Sequence, residues 1–310
     1  MRVPVLLATI AILLAAPYFI YPVLLMTALC FVVFACSFNL LLGYAGLLSF
    51  GHSMFFGGAG YLAGYMLKNL QLSLELATIL GAVGAGLLGL AVGALAIRRQ
   101  GIQFAMVTLA FSQLVYFFFL QAEFTGGENG LQSIPRNPLL GVFDLSSNFS
   151  LYYWILALTL LSVGLFYRIV HSPFGEVLRA IRDHEGRAQS LGFNPNRYRL
   201  LAFVLSASLA GLAGAMKASV VQFATLNDVS WHVSGEVILM VLLGGLGTLV
   251  GPMIGAVLIV FMNDHFAAFG EWSLVSQGVI LMTVVVFFRR GVVGELNALR
   301  HRLAVRFGRV

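Results

Sequence analysis

Stretches of roughly twenty predominantly apolar residues recur along this chain from residue 4 to residue 288. About twenty such residues are what a helix needs to cross a hydrocarbon core about 30 Å thick. Few folds are open to a chain of this kind, because backbone N–H and C=O groups in lipid must be paired within helices or closed barrels. The runs show no ten-residue alternation of polar and apolar positions, so a transmembrane β-barrel fits poorly. Residues are 60% hydrophobic and only 10% charged, against about 25% charged in soluble domains. A soluble enzyme, a disordered chain and a nucleic-acid binder are set aside. The reading is an all-α, polytopic membrane protein with one transmembrane domain over 1–310.

Candidate spans lie near 4–19, 22–42, 48–67, 73–97, 101–120, 151–170 and 199–217. The stretch 234–288 is interrupted at Leu243-Gly244-Gly245-Leu246-Gly247-Thr248-Leu249-Val250-Gly251-Pro252, and again at Asn263-Asp264-His265 and Glu271. Charge sets the number of crossings in it, because short loops rich in Lys and Arg stay cytoplasmic. The net charge of +6 therefore reports orientation rather than an acidic partner. Segment 171–199 carries Arg179, Arg182, Arg187, Arg197 and Arg199, and the tail 289–310 carries six more arginines. Both belong inside, which requires three crossings after 199–217, at 234–246, 251–266 and 272–288.

The expectation is about ten transmembrane or broken helices with both termini cytoplasmic. Lys68, Arg136 and Lys217 then lie outside, and 122–150 is an extracytoplasmic loop. Met1-Arg2 and the apolar stretch to Pro17 could be a cleaved secretory signal, but this parity uses them as the first span. The 13 residues of 234–246 rise only about 20 Å as a helix. That segment reads as a broken or re-entrant helix, tolerated where backbone is buried in protein or lines a cavity, with a tight hairpin as the alternative.

Gly43 and Gly46 share their spacing with Gly244 and Gly247, which suggests an internal repeat of the kind common in transporters. These glycines, with Gly245 and Gly251, are candidate hinge and packing positions. Cys30 and Cys36 lie on different faces of one run, so neither a disulfide nor a metal site is indicated. Gly84-Ala85-Gly86-Leu87-Leu88-Gly89 matches the dinucleotide fingerprint formally but sits inside a span, where small residues serve close helix packing. There is no phosphate-binding loop and no His-Glu-x-x-His. The chain therefore reads as no enzyme, with no ATPase site, metal or bound cofactor of its own. Gly46-Leu47-Leu48-Ser49-Phe50-Gly51 is one residue too long for a nucleophile elbow, and an intramembrane hydrolase using Ser49 and His52 would have to turn substrate over alone.

Residues 174–193 read as an amphipathic cytoplasmic helix, with Val177, Ala180, Ile181, Ala188 and Leu191 apolar and Arg179, Arg182, Asp183 and Arg187 polar around them. By itself that pattern equally describes an interfacial helix held by anionic lipid.

Glu185-x-x-Ala188-x-x-x-Gly192 resembles the cytoplasmic coupling loop of ABC importer permeases, with Gly186 and Arg187 standing where that motif has its first alanine region. Asn39-Leu40-Leu41-Leu42-Gly43-Tyr44-Ala45-Gly46-Leu47-Leu48-Ser49-Phe50-Gly51-His52 resembles the opening signature of branched-chain amino-acid permeases. The likeness continues through Gly101–Phe111, Thr125–Leu131 and Leu242–Pro252, and is to the M-type subunit in particular. It implies a permease in a bacterial inner membrane, paired with a second related permease and two ATPase subunits that carry ATP and Mg2+. Substrate would arrive from an extracytoplasmic binding protein, with the loop from Thr125 to Ser150 as its docking surface. Arg179, Arg182, Glu185, Ala188 and Gly192 would form the coupling surface.

Polar side chains within spans tend to face a bundle interior. Asn39, Ser49, His52, Gln103, Thr108, Ser112 and Gln113 are therefore substrate-path candidates, with helix–helix hydrogen bonding as their other role. The expected cargo is a branched-chain or related small amino acid; urea, short amides and small carboxylates are the alternatives within the family. An ion-coupled secondary transporter would need a buried carboxylate, whereas the acidic residues map mainly to loops and ends.

Overall fold

The computed structural model describes residues 3–138 and 145–266, with single positions between 275 and 294. The span expected at 272–288 and the arginines of the 289–310 tail lie outside the described residues. Among the described residues the chain is helical, with one isolated antiparallel bridge, Leu131 to Ala224.

Helix α1 (Val3–Ala15) leads to α2 (Pro22–Asn39), which continues as a π turn over Leu40–Tyr44. Next come α3 (His52–Asn69), α4 (Leu74–Ala96), α5 (Ile102–Gln121) and α6 (Asn148–Val170). Two short helices, α7 (Pro173–Asp183) and α8 (Glu185–Ser190), precede the long α9 (Pro195–Val221). The one-turn α10 (Leu226–Val229), then α11 (Trp231–Gly244) and α12 (Gly251–Phe266), complete the described part. Among the described residues five helical segments are long and apolar enough to cross a membrane: Pro22–Tyr44, Leu74–Ala96, Ile102–Gln121, Asn148–Val170 and Pro195–Val221. The chain is thus a multi-pass membrane protein.

Helix α9 is the centre of the bundle. Small residues bring its neighbours to backbone contact, since a β-carbon at Gly214 would strike the Phe56 carbonyl of α3 and one at Gly89 would meet Ala207 at 2.5 Å. Helix α2 is buried almost throughout, from Met26 to Leu41. By contrast α4 turns Ile79, Val83, Leu87 and Leu95 outward, the side chains a lipid-facing helix carries.

Two irregular segments run through the packed interior. Ala45–Gly51, which the sequence reading partly assigned to a span at 48–67, is non-helical and largely buried, and α3 begins only at His52. From the other end, Gln222–Ser230 folds back into the bundle, so that Val229 lies against Gly57 of α3, where an added β-carbon would stand 2.6 Å from the Val229 nitrogen. The break expected within 234–246 is therefore displaced. Helix α11 is regular over 14 residues, and the irregular backbone precedes and follows it. After it, α11 and α12 pack as a close antiparallel hairpin, with no room for a side chain at Gly244 beside the Gly251 carbonyl or at Gly255 beside that of Met240.

Ser53, Ser112 and Ser234 explain how the irregular segments are tolerated. Ser234 Oγ accepts from the Ser53 nitrogen at 2.8 Å and donates to Ser53 Oγ at 2.9 Å, while Ser53 Oγ donates to the Val229 carbonyl at 3.0 Å. Ser112 Oγ lies 3.4 Å from Ser53 Oγ. All three serines are fully buried, so the free Ser53 N–H at the start of α3 and the Val229 carbonyl at the end of α10 find partners without water.

Candidate functional site

The amphipathic segment 174–193 is two helices rather than one. His184, at φ −150° and ψ 85°, breaks it between α7 and α8. Ser172 caps α7 by accepting from the Gly175 nitrogen, and Pro173 follows in the first turn, where its missing N–H costs nothing. The buried face of α7 is Gly175, Leu178 and Ile181. Of the apolar stripe expected from the sequence, Ile181 and Ala188 are buried, Val177 is half-buried, and Ala180 and Leu191 are exposed. The break at His184 rotates the second helix relative to the first, so one continuous stripe does not form.

Gly192 closes α8. Its nitrogen donates to the Gln189 carbonyl at 2.9 Å and that of Phe193 to the Ala188 carbonyl at 3.2 Å, with Gly192 at φ +88°. This is a Schellman turn, which favours glycine for its left-handed backbone. The Glu185 carboxylate, expected on the coupling surface, is bound within the chain. Both its oxygens accept from Arg199 of α9, and Gln100 donates to Oε1 at 3.2 Å.

The inner side of α7 meets the two glycine-punctuated segments. Arg182 Nη1 donates to the Gly43 carbonyl. Its Cγ lies 2.8 Å from where a Gly46 β-carbon would stand, and its Nη1 3.7 Å from the same point on Gly247. Asn39 bridges the segments from inside, donating to the Thr248 carbonyl at 2.9 Å and accepting from the Gly247 nitrogen at 3.1 Å. A β-carbon on Gly43 would collide with Asn39 Oδ1 and stand 2.8 Å from the Gly247 nitrogen. The two segments that the sequence paired by spacing are therefore in contact. The π turn at Leu40–Tyr44 follows Asn39 directly and contains the Gly43 carbonyl that Arg182 holds; such bulges recur at functional sites. Arg179 donates to the Val170 carbonyl at 2.9 Å and lies 5.6 Å above the Tyr44 ring. Thr248 Oγ1 closes the hairpin turn by accepting from the Gly251 nitrogen at 3.1 Å, and Gly245 has φ +119°.

The other polar candidates separate by burial. His52 Nε2 lies 3.2 Å from both Ser37 and Ser206 hydroxyls, enclosed by the rings of Phe34, Phe38 and Phe55. Thr108 Oγ1 accepts from the Phe50 nitrogen at 3.2 Å, and Ser49 Oγ from that of Gly51 at 3.3 Å. These three, with Asn39 and Ser112, are fully buried. Gln103 is exposed and Gln113 half-buried on α5. A cavity of about 490 Å3 between α3, α4 and α5 is lined by apolar side chains such as Phe55, Leu62, Leu88 and Phe118, and by none of these polar residues.

Two ionic features escaped the sequence reading. Lys217, placed near the outer side, is paired with Asp228 inside the packed bundle, with Phe31 and Phe56 rings 5.9 and 5.7 Å from its Nζ. Glu236, within α11, accepts from Asn263 at 2.6 Å. Acidic groups are thus not confined to loops and ends. The one advance signal was a carboxylate inside an apolar run. Arg136, offered as part of a docking loop, donates to Asn148 Oδ1 at 2.8 Å and the Val220 carbonyl at 2.9 Å, and burial draws its pKa below the ordinary arginine value.

A multi-pass helical bundle, with backbone breaks buried in its interior and short amphipathic helices packed against them, is the architecture of a membrane permease. Residues 21–288 match the family described as the permease component of branched-chain amino acid transport systems, and the chain belongs to that family. It is 30% identical over 288 residues to the high-affinity branched-chain amino acid transport system permease protein LivM of Salmonella typhimurium, covering 84% of this chain and 67% of the relative. Its identity to LivM of Escherichia coli is 29% over the same shares. The ribose import permease protein RbsC of Escherichia coli is 27% identical over 43% of this chain and 44% of its own. No solved structure matches the chain.

Proposed function

We propose that this chain is the permease subunit of an ATP-driven ABC importer that admits branched-chain or related small amino acids to the cytoplasm. The observation that carries the reading is the likeness to two LivM permeases over 84% of the chain. In this reading the protein sits in a bacterial inner membrane with ten crossings and both termini inside. It pairs with a second related permease and two ATPase subunits, which bind ATP and Mg2+, and receives substrate from an extracytoplasmic binding protein on the 122–150 face.

Helices α7 and α8 are the ATPase-facing element. Leu191, 72% exposed at the end of α8, offers the apolar contact, while Glu185, Ala188 and Gly192 keep α8 in shape for it. ATP binding moves α7 and α8, and the bundle changes the side to which its cavity opens, each step drawing on differential binding to the two states. Asn39, Ser49, His52 and Thr108 hold helices together; Gln103 and Gln113 on α5 remain the polar side chains open to a substrate path.

Uptake of labelled leucine into proteoliposomes holding the complete complex tests the reading. ATP-dependent, binding-protein-dependent uptake is expected. A verified intact complex that moves urea or short amides but no amino acid would replace the cargo, and uptake by this chain alone would remove the ABC assignment.

A further inference from the structure

Arg182 sits at the C-terminal end of α7, where its guanidinium also pairs with Asp183, and it reaches both glycine segments, while Arg179 meets the first of them at Tyr44. The opposite end of α7 is fixed. Ser172 caps it, Gly175 packs so closely that a β-carbon there would meet the Ile169 carbonyl at 2.7 Å, and Arg179 holds the Val170 carbonyl. At the C-terminal end of α7, beside the buried Ile181, the Arg182 guanidinium binds the Gly43 carbonyl and its stem lies over Gly46, so a shift of α7 bears on both. Asn39 makes hydrogen bonds with both Gly247 and Thr248, so the α2 break cannot shift alone and the α11–α12 hairpin turn must follow.

We propose that Arg182 is the positioning residue that transmits displacement of α7 to the α2–α3 break and, through Asn39, to the α11–α12 turn, rather than a residue that touches the ATPase. The inference rests on the importer reading and gives it an internal linkage. Three features suit the linkage to carrying displacement. The guanidinium donates to backbone, so no side-chain rotamer of the partner can absorb the movement. The hinge positions on either side are glycines, which change φ and ψ at low cost. The bridging amide is fully buried, so water does not compete for its bonds.

The test compares wild type, Arg182→Ala and Arg182→Lys in the complete complex in nanodiscs and proteoliposomes, at equal amounts of assembled complex. Hydrogen exchange of 45–51 and 245–250 and the ratio of amino acid moved to ATP hydrolysed are read together. Loss of a charge-assisted hydrogen bond shifts a two-state balance by about tenfold or more, so Arg182→Ala should exchange faster in both segments and move about tenfold less amino acid per ATP. Arg182→Lys keeps the charge without the fork and should lie between. A purely structural role lowers the yield of complex and leaves the ratio unchanged; an unchanged ratio in either variant overturns the proposal. Should Arg182→Ala fail to assemble, Arg182→Lys decides by the same ratio. Absence of ATP-dependent uptake in the wild type removes the importer reading itself, before any variant is compared.

Discussion

Glu185 and Arg199 form a two-pronged ion pair, Oε1 to Nη1 at 3.1 Å and Oε2 to Nη2 at 2.9 Å, that clamps α8 onto the start of α9. The Arg199 side chain is 8% exposed and that of Glu185 28%. Removing the carboxylate leaves a buried guanidinium unpaired, so Glu185→Ala should cost about 1–3 kcal/mol, less than a fully buried pair because water reaches one side. A double-mutant cycle with Arg199→Ala, read from unfolding of the detergent-solubilised protein, should give a coupling above about 1 kcal/mol. Strictly additive losses would show that the pair holds nothing.

Two glycines should answer alanine in opposite ways. Gly43→Ala pushes a methyl group into Asn39 Oδ1 and the Gly247 backbone, and overpacking of that kind costs about 1–3 kcal/mol. Gly186 lies in α8 with open space around it, so Gly186→Ala should stabilise by about 0.5–1 kcal/mol through helix propensity. Thermal unfolding of both variants checks the contrast, and equal shifts would mean the Gly43 contact is slack.

Lys217 and Asp228 should behave as one unit. Their side chains are 18% and 11% exposed, and breaking a buried pair from one side costs about 3–5 kcal/mol because the remaining charge has no counter-ion. Lys217→Met should therefore lower the yield of folded protein sharply. Adding Asp228→Asn should recover part of it, since no unpaired charge remains; a double variant worse than Lys217→Met would contradict the pairing.

His52 fills an enclosed space between α2, α3 and α9, so its substitution should act on stability rather than on substrate affinity. His52→Ala removes the ring that lies against the rings of Phe34, Phe38 and Phe55 and leaves the Ser37 and Ser206 hydroxyls without it. The expected loss is about 2–4 kcal/mol, with the half-saturating leucine concentration unchanged in the protein that folds. A several-fold change in that concentration at normal stability would place His52 on the substrate path.

Much of this molecule was legible in its sequence, for identifiable reasons. Apolar length reports helix crossings because lipid leaves no other way to pair a backbone, and the starts of α6 and α9 agree with the expected spans to within a few residues. Gly43, Gly46, Gly244 and Gly247 stood out because glycine inside an apolar run is spent on a bend or a close approach, and their shared spacing marked two segments that prove to touch. The amphipathic stretch after α6 was visible as charge beside apolar residues, but not its break at His184.

The sequence by itself determined the class of protein, the family and the two glycine-rich segments at which α2 and α11 end. Tertiary structure alone decided who meets whom: Arg182 with the Gly43 carbonyl, Asn39 with Thr248, Glu185 with Arg199, Lys217 with Asp228. The physical reason is that in a membrane the apolar face toward lipid and the apolar face toward protein look alike, so periodicity cannot say which neighbour a helix packs on. A polar side chain in such a run announces that it needs a partner, and only the folded backbone brings one within reach, here from as far as 209 residues along the chain.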